Sequence, residues 1–376
     1  MPSRPPRIAF LLPGLGRIDR GAERALLEIA RGLHERHDCH VELFGRGPHF
    51  PEGLIGHAVP AIDRSRFERF PRLPALRSEC AYEEFTFAVS LMARRLFEPR
   101  RFDVAVHCSY PYLNWMLSRI PAARRPLRLF LTQNGDWMCR RTNAEFRAFA
   151  CDGLVAINPE YAERHQHTYP TALIPNGVHP GDFTFTPRCG ISDDRRPQVL
   201  MVSALIDSKR VDAGIRAVAR IPNAELTILG DGPLRESLQH LADDVMPGRA
   251  RLLGSQPYAA MAAAYTQADV FLHASQEEPF GIVYLEAAAS GCPVVAHHGR
   301  TQRWILGEAA VLADTGDVDA LADAVRSALR PGTAAALSRA GRERVQAEFD
   351  WAHLVDRYAA FLHERLAARE AAAATR

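Results

Sequence analysis

The sequence predicts an α/β protein built from two doubly wound domains, each a parallel sheet covered by helices. Two observations carry that prediction. Short apolar runs of strand length alternate with helix-forming stretches along most of the 376 residues, and no segment repeats internally. One stretch rich in Pro, Arg and Asp, residues 184–197, interrupts the alternation and reads as a linker. The expected division is 1–183, the linker 184–197, 198–350, and a terminal segment 351–376. A chain of this length can hold a core in each half.

The elements follow in order. Arg7-Ile8-Ala9-Phe10-Leu11-Leu12 reads as the first buried strand, followed by a Gly-containing loop to Glu23. Ala25 to Leu33 has helical spacing, and Cys39 to Phe44 is the next strand. The glycines after the first strand read G-x-G-x4-G, and no acidic residue closes the second strand, so a dinucleotide fingerprint is not met. Residues 60–101 depart from the alternation: Arg64, Arg66, Arg69, Arg72 and Arg77 interleave with Phe67, Phe70, Leu73 and Leu76. That stretch reads as an acceptor loop, a membrane-surface patch or a solvated face. Phe102–His107, Leu127–Thr132 and Leu154–Ile157 are further strands. Val199–Ser203 opens the second domain, with a loop through Lys209 and Arg210, a helix from Asp212, and a strand at Leu226–Gly230.

Composition narrows the partners. Hydrophobic content of 47% and charged content of 24% are those of a soluble globular protein, and a net charge of +2 gives no support for nucleic-acid binding. The seven cysteines are scattered, with no C-x-x-C pair, which fits reduced thiols and a cytoplasmic setting. No secretory leader and no apolar run of about 18–20 residues is expected to direct the chain out of or across a membrane. Among 46 basic residues Lys209 is the only lysine, an exception to a strong arginine bias.

The chemistry concentrates between Val270 and Ala296. Val270–Ala274 and Pro293–Ala296 read as buried strands, and Ile282–Ala289 between them reads as a helix stopped by Gly291 and Pro293. Glu278 stands ahead of the first turn, and Glu286 lies inside the helix, roughly 8–9 Å along its axis. A helix N-terminus suits an anion, and Gly281 lets a backbone approach closely. A diphosphate at Phe280-Gly281-Ile282, with a carboxylate reaching hydroxyls on each side, describes a nucleotide sugar. The competing reading is two ordinary surface glutamates beside a Gly turn. A glycosidase would instead need carboxylates flanking one bond.

Glu278-x7-Glu286, with Phe280-Gly281 inside it and Glu286-Ala287-x-Ala289-x-Gly291-x-Pro293-Val294-Val295 behind, resembles the donor-site signature of retaining GT-B glycosyltransferases of family 4. The resemblance implies two Rossmann-like domains facing across a cleft. It also implies that Phe349-Asp350-Trp351 and a helix from Ala352 to Ala368 cross back to the first domain, with 371–376 frayed. Leu173–Val178, containing Pro175-Asn176-Gly177-Val178, resembles the stretch where family members leave that domain. Gly21-Ala22-Glu23 matches a family loop that closes over the diphosphate or acceptor, with Arg20 in place of its first Gly.

The implied activity is transfer of a sugar from a UDP- or GDP-type donor to a hydroxyl acceptor, with retention, front-face attack and neither metal nor other cofactor. Lys209 and Arg210 would hold the departing diphosphate, Glu278 the sugar and Glu286 the ribose; Ala204 stands where the family has an Arg. Gly16, Gly21, Ser203, Gly230, Gly254, Phe280, Gly281, Ile282 and Val283 complete the expected donor site. Asn134 replaces the family's usual His, so Asp136 and His107, at a strand end, are the other first-domain candidates; His107 is equally readable as a buried structural residue. Asn134 also leaves open a non-catalytic nucleotide-sugar sensor. Asp317-Val318-Asp319 is a literal D-x-D, better explained by Asp317 capping a helix than by metal binding. The expected location is cytoplasmic, with residues 64–77 a candidate peripheral contact at the inner face of the membrane.

Overall fold

Two parallel sheets organise the chain, one in each of two units: Met1–Pro175 together with Trp351–Arg376, and Asn176–Asp350. The structure, a computed structural model, describes residues 4–18, 20–69, 76, 78–108, 112–136, 150–191 and 195–374, without the side chains of Phe67, Glu68 and Asn134.

The first unit runs β1 (Arg7–Leu11), α1 (Gly21–His37), β2 (His40–Gly45), β3 (Ile55–Ala58), α2 (Glu79–Ala93), β4 (Val104–His107) and α3 (Tyr112–Arg119). It continues with β5 (Leu127–Leu131), β6 (Gly153–Ala156), α4 (Pro159–His165) and β7 (Thr171–Leu173). The strand order is β3-β2-β1-β4-β5-β6-β7, all parallel. The period of two, with both faces of the sheet covered, explains why β1 is apolar from Ile8 to Leu11. Ile8 and Phe10 pack with Leu26, Ile29 and Leu33 of α1, while Ala9 and Leu11 pack with Phe87 and Leu91 of α2 and Leu113 of α3.

The second unit runs β8 (Gln198–Val202), α5 (Val211–Ala219), β9 (Glu225–Leu229), α6 (Arg235–Val245), β10 (Ala250–Leu252), α7 (Tyr258–Gln267) and β11 (Val270–His273). Then come α8 (Ile282–Ala289), β12 (Val294–His297), α9 (Arg300–Leu306), β13 (Ala310–Ala313), α10 (Val318–Leu329) and α11 (Pro331–Glu348). The order β10-β9-β8-β11-β12-β13 reverses direction at β8 and β11. In an open parallel sheet such a switch point leaves a crevice beyond the strands' carboxyl ends, because the two loops there diverge to opposite faces.

α12 (Trp351–Ala374) returns to the first unit and buries Trp351, Leu354, Val355, Tyr358 and Leu362, a helical stripe, with α1. Gly32 permits the approach, since a Cβ there would lie 2.5 Å from Val355. The helix continues past the expected end at Ala368, through 371–374, because an alanine run has the highest helix propensity.

Two other expectations change. The chain divides at Pro175, ahead of residue 183, and the described part of the expected linker is fastened to the second unit. Arg188 donates to the carbonyls of Tyr265, Thr266 and Ala268 at 3.0, 2.7 and 2.9 Å, and Thr186 N donates to Ser290 O at 3.1 Å. Within 60–101, α2 forms after Ser78, whose hydroxyl accepts from Ala81 N and caps it. Arg64 donates to the buried Glu83 at 2.5 Å, and Arg46 pairs with the same carboxylate, so Arg64 is not simply part of a solvated face. Phe70, Arg72, Leu73 and Arg77 lie outside the described residues. Among the described residues no helix is long and apolar enough to cross a membrane. Six of the cysteines are free; Cys139 lies outside the described residues.

Candidate functional site

The loops that follow β8 and β11 meet at the switch point of the second unit. After β8 the chain makes a 3₁₀ turn over Asp207–Lys209, and Arg210 adopts a left-handed conformation, φ 51° and ψ 40°, before α5 begins. That conformation is unusual for a residue with a side chain and must be held by its surroundings. Arg210 Nη2 donates to Thr315 O at 3.1 Å, whereas its buried Nε has no partner among the described residues. Ser275 Oγ donates to Ser208 O at 3.0 Å, tying the loop after β11 to the loop after β8.

Glu278 stands in that second loop with its side chain 10% exposed. Lys209 Nζ lies 2.5 Å from Glu278 Oε2, and His273 Nε2 approaches the same oxygen to 3.6 Å. His273, the last residue of β11, is buried, and the Tyr284 hydroxyl of α8 lies 3.1 Å from its Nδ1. Burial pushes the imidazole down to about 4, although Glu278 works against the shift, so the ring is neutral near neutral pH.

Gly281 is the reason these groups fit. It caps α8 at φ 80° and ψ 73°, and a Cβ there would meet the Tyr284 ring at 2.5 Å and Glu278 Cγ at 3.0 Å. No side chain caps this helix; Tyr284 N donates to Gly281 O at 3.0 Å, and the N–H groups of Ile282 and Val283 lack an intrahelical partner. Phe280 is buried against Trp304 and Phe349, so only its backbone is available to a ligand, a narrower role than a donor-binding side chain. Ile282 and Val283 are half-buried at the start of the helix.

Glu286 sits on the same helix, 7% exposed, and accepts a hydrogen bond from Tyr265 Oη at 2.8 Å. Burial, and then the Glu286 charge, push the Tyr265 phenol far above its ordinary range, so it is a donor at any working pH. Ser203, Gly230 and Gly254 are drawn together at the ends of β8, β9 and β10. Gly230 N donates to Gly254 O at 2.9 Å, and a Cβ on Gly230 would come to 1.8 Å of Ser203 O. Ser203 Oγ is buried without a partner among the described residues.

The first-unit candidates separate. Gly16 (φ 75°) forms a turn against the backbone of Gly47 and His49, and Gly21 is the first residue of α1, where a loop was expected. His107 is completely buried in β4 with its ring edge-on to Phe130, since both faces of that sheet are covered. That burial fits the reading of His107 as a structural residue. Asp136 is half-buried and held by α4: His165 Nε2 lies 2.6 Å from Oδ1, and Arg164 pairs with the other oxygen. Asn134 ends a 3₁₀ turn, but its side chain lies outside the described residues.

Among the described residues one group could hold a metal ion: His297, His298 and Asp314, whose ligand atoms lie within 4.8 Å of one another. Arg210 and Arg303 both add positive potential at His297, which opposes a divalent cation there. Asp317 accepts from Asp319 N and Ala320 N and caps α10, while Asp319 is exposed and pairs with Arg220, so the D-x-D carboxylates are separately engaged.

His273, Tyr284 and Tyr265 were not among the expected site residues. His273 and Tyr284 lie in runs that read as buried strand and helix, and only tertiary contact reveals the polar end of each.

Comparison with known proteins follows the same division. The model described as "Glycosyltransferase Family 4" matches residues 20–182, and that described as "Glycosyl transferases group 1" matches residues 185–344. A GDP-mannose-dependent alpha-(1-6)-phosphatidylinositol monomannoside mannosyltransferase of Mycolicibacterium smegmatis is 32% identical over 280 residues, 68% of this chain and 69% of its own. Two further curated relatives match over less than half of their length, 48% and 45%. Among solved structures, sucrose-phosphate synthase from Thermosynechococcus elongatus shares the fold with a TM-score of 0.76 at 22% identity, covering 97% of this chain and 100% of that one. Anabaena HepE, solved with UDP and glucose, has a TM-score of 0.69 at 17% identity, covering 95% and 99%.

Proposed function

The chain belongs to family 4 of the GT-B glycosyltransferases, and from that premise we propose that it moves a sugar from a UDP- or GDP-linked donor to a hydroxyl acceptor, with retention and without a metal ion. The observation that carries the reading is the Lys209–Glu278 pair beside the uncapped start of α8. One group of that pair is a cation for a departing diphosphate, the other an acceptor for sugar hydroxyls, and they adjoin as the two halves of a donor do.

In this reading the bond between the anomeric carbon and the diphosphate oxygen breaks with its electron pair on the phosphate. Lys209, Arg210 and the first N–H groups of α8 take up that charge. The acceptor oxygen attacks from the same face and its proton passes to the departing phosphate. Glu278 holds the sugar, and Glu286, steadied by Tyr265, holds the ribose. Ser203 Oγ and Arg210 Nε, without partners among the described residues, support a ligand at this edge, since buried polar atoms generally have partners. The mannosyltransferase relative is named for a phosphatidylinositol monomannoside, which supports a glycoconjugate acceptor, handled by the first unit.

The test is a panel of nucleotide sugars read first by thermal shift, which rises with affinity and concentration, and then by turnover with NMR of the anomeric product. Selective stabilisation by one donor with an axial-to-axial or equatorial-to-equatorial product supports the proposal. Inversion, or stabilisation by no nucleotide sugar, rejects it.

A further inference from the structure

We propose that His273 is a positioning residue for Glu278: its Nε2–H holds Oε2 of the carboxylate, and the Tyr284 hydroxyl, donating to Nδ1, fixes the tautomer that makes this possible. The proposal rests on the donor-site reading above and adds residues to it. Two groups converge on a single oxygen of Glu278. Lys209 Nζ is at 2.5 Å and His273 Nε2 at 3.6 Å from Oε2, while Oε1 has no partner among the described residues. A carboxylate clamped at one oxygen presents the other in a fixed direction. Oε1 is then the atom that accepts from a sugar hydroxyl.

The imidazole suits this work for three reasons. It is 3% exposed, so its ring cannot swing into solvent. Tyr284, itself fully buried, places its hydroxyl 3.1 Å from Nδ1. A tyrosine that donates there makes Nδ1 an acceptor and puts the proton on Nε2, the nitrogen facing Glu278. Burial also keeps the ring neutral, so it orients the carboxylate without competing with Lys209 for its charge. At 3.6 Å the gap between Nε2 and Oε2 is longer than a hydrogen bond, and turning the Glu278 carboxylate toward the ring would close it. Gly281 makes room for both Tyr284 and Glu278, so one glycine, one histidine and one tyrosine form a bracket behind the sugar-binding carboxylate.

The experiment combines two independent readouts. In protein labelled with ¹⁵N-histidine, two-bond proton–nitrogen spectra of the wild type and of His273→Gln identify the His273 signals and report their tautomer. The Nε2–H form is expected, shifting toward the Nδ1–H form in Tyr284→Phe; an Nδ1–H wild type overturns the proposal. In turnover assays His273→Leu is expected to lower kcat about ten- to hundredfold, the range for a hydrogen bond to a charged group. Its affinity for the free nucleoside diphosphate should stay within about twofold, and His273→Gln, whose amide keeps an N–H near the Nε2 position, should recover most of kcat. Equal losses in both variants, or a parallel loss of nucleoside-diphosphate affinity, would mean packing alone and overturn the proposal. Absence of turnover in the wild type with every donor would reject the transferase reading, and the tautomer would still decide whether His273 orients Glu278.

Discussion

Lys209 and Glu278 form an ion pair across the loops that follow β8 and β11, with Nζ 2.5 Å from Oε2 and side-chain exposures of 21% and 10%. An isolated pair on an open surface contributes little; this one is mostly withdrawn from water and sits where the sheet order reverses. In the proposed transfer its two members have separate functions, so their loss can be separated. Lys209→Ala should lower turnover about 10²–10³-fold, the scale of one oriented electrostatic group. Lys209→Arg should also be impaired, because a planar guanidinium does not replace a compact ammonium. Lys209→Ala leaves Glu278 partly buried without its cation and should lower the melting temperature; adding Glu278→Gln should restore stability while leaving turnover low. Wild-type turnover in Lys209→Arg would remove the lysine from the mechanism.

The two glutamates should fail differently. Glu278→Gln should reduce use of the sugar donor and leave binding of the free nucleoside diphosphate nearly unchanged. Glu286→Gln should weaken that binding as well, and Tyr265→Phe should do so more mildly, by about five- to tenfold, because it keeps the carboxylate and loses only the net contribution of one supporting hydrogen bond. Isothermal titration with the free nucleotide distinguishes them. Unchanged affinity in Glu286→Gln would dissociate that residue from the ribose.

Much of this site is legible in the sequence because its punctuation is local. Ile282–Ala289 is bounded by Gly281 before it and by Gly291 and Pro293 after it, and the helix occupies those residues. The alternation of apolar runs also announces both sheets. What remains hidden depends on which groups meet. His273 ends an apolar strand and Tyr284 lies in an apolar helix, so each reads as core until the fold places the hydroxyl against the imidazole. His107 illustrates the reverse: a strand-end histidine suggests a crevice, but coverage of both sheet faces buries it. Residue Arg188 shows a third limit, since a Pro- and Arg-rich stretch looks free until its guanidinium finds four carbonyls.

Activity should persist in excess EDTA, because Lys209, Arg210 and the start of α8 supply the positive potential a metal would otherwise provide. Loss of turnover with chelator and recovery with manganese or magnesium would contradict this. His297, His298 and Asp314 would then be the ligands to mutate first.

Asp136 is expected to matter through order in the first unit. Its carboxylate is held by Arg164 and by the buried His165, which leaves it engaged and poorly disposed to act as a nucleophile. Asp136→Ala should reduce turnover more than Asn134→Ala, and Asp136→Asn should recover part of the loss through its remaining hydrogen bonds. Mass spectrometry of the protein after a slow donor should find no sugar attached. A sugar trapped on Asp136 would replace front-face transfer with double displacement.

The last prediction uses the neutrality of His273. The groups that face its ring are Glu278, which favours the charged form, Lys209, which opposes it, and the Tyr284 hydroxyl. Burial dominates and holds the folded-state pKa at about 4, below the 6.5 of an unperturbed histidine. Between those values the unfolded chain binds a proton that the folded chain does not, so stability rises with pH through this window and is lost as pH falls from about 6.5 toward 4. The full difference is on the order of 3 kcal/mol. Carboxylates that pair in the folded state add their own acid sensitivity, so the informative quantity is the difference between two proteins. His273→Gln removes the titrating ring while keeping a side chain of similar reach. Denaturant midpoints measured from pH 7 to pH 4 should fall more steeply in the wild type than in His273→Gln, and the two curves should run parallel above pH 7. Parallel curves throughout would mean that His273 carries its proton in the folded protein and that its ring is charged beside Glu278 at mildly acidic pH.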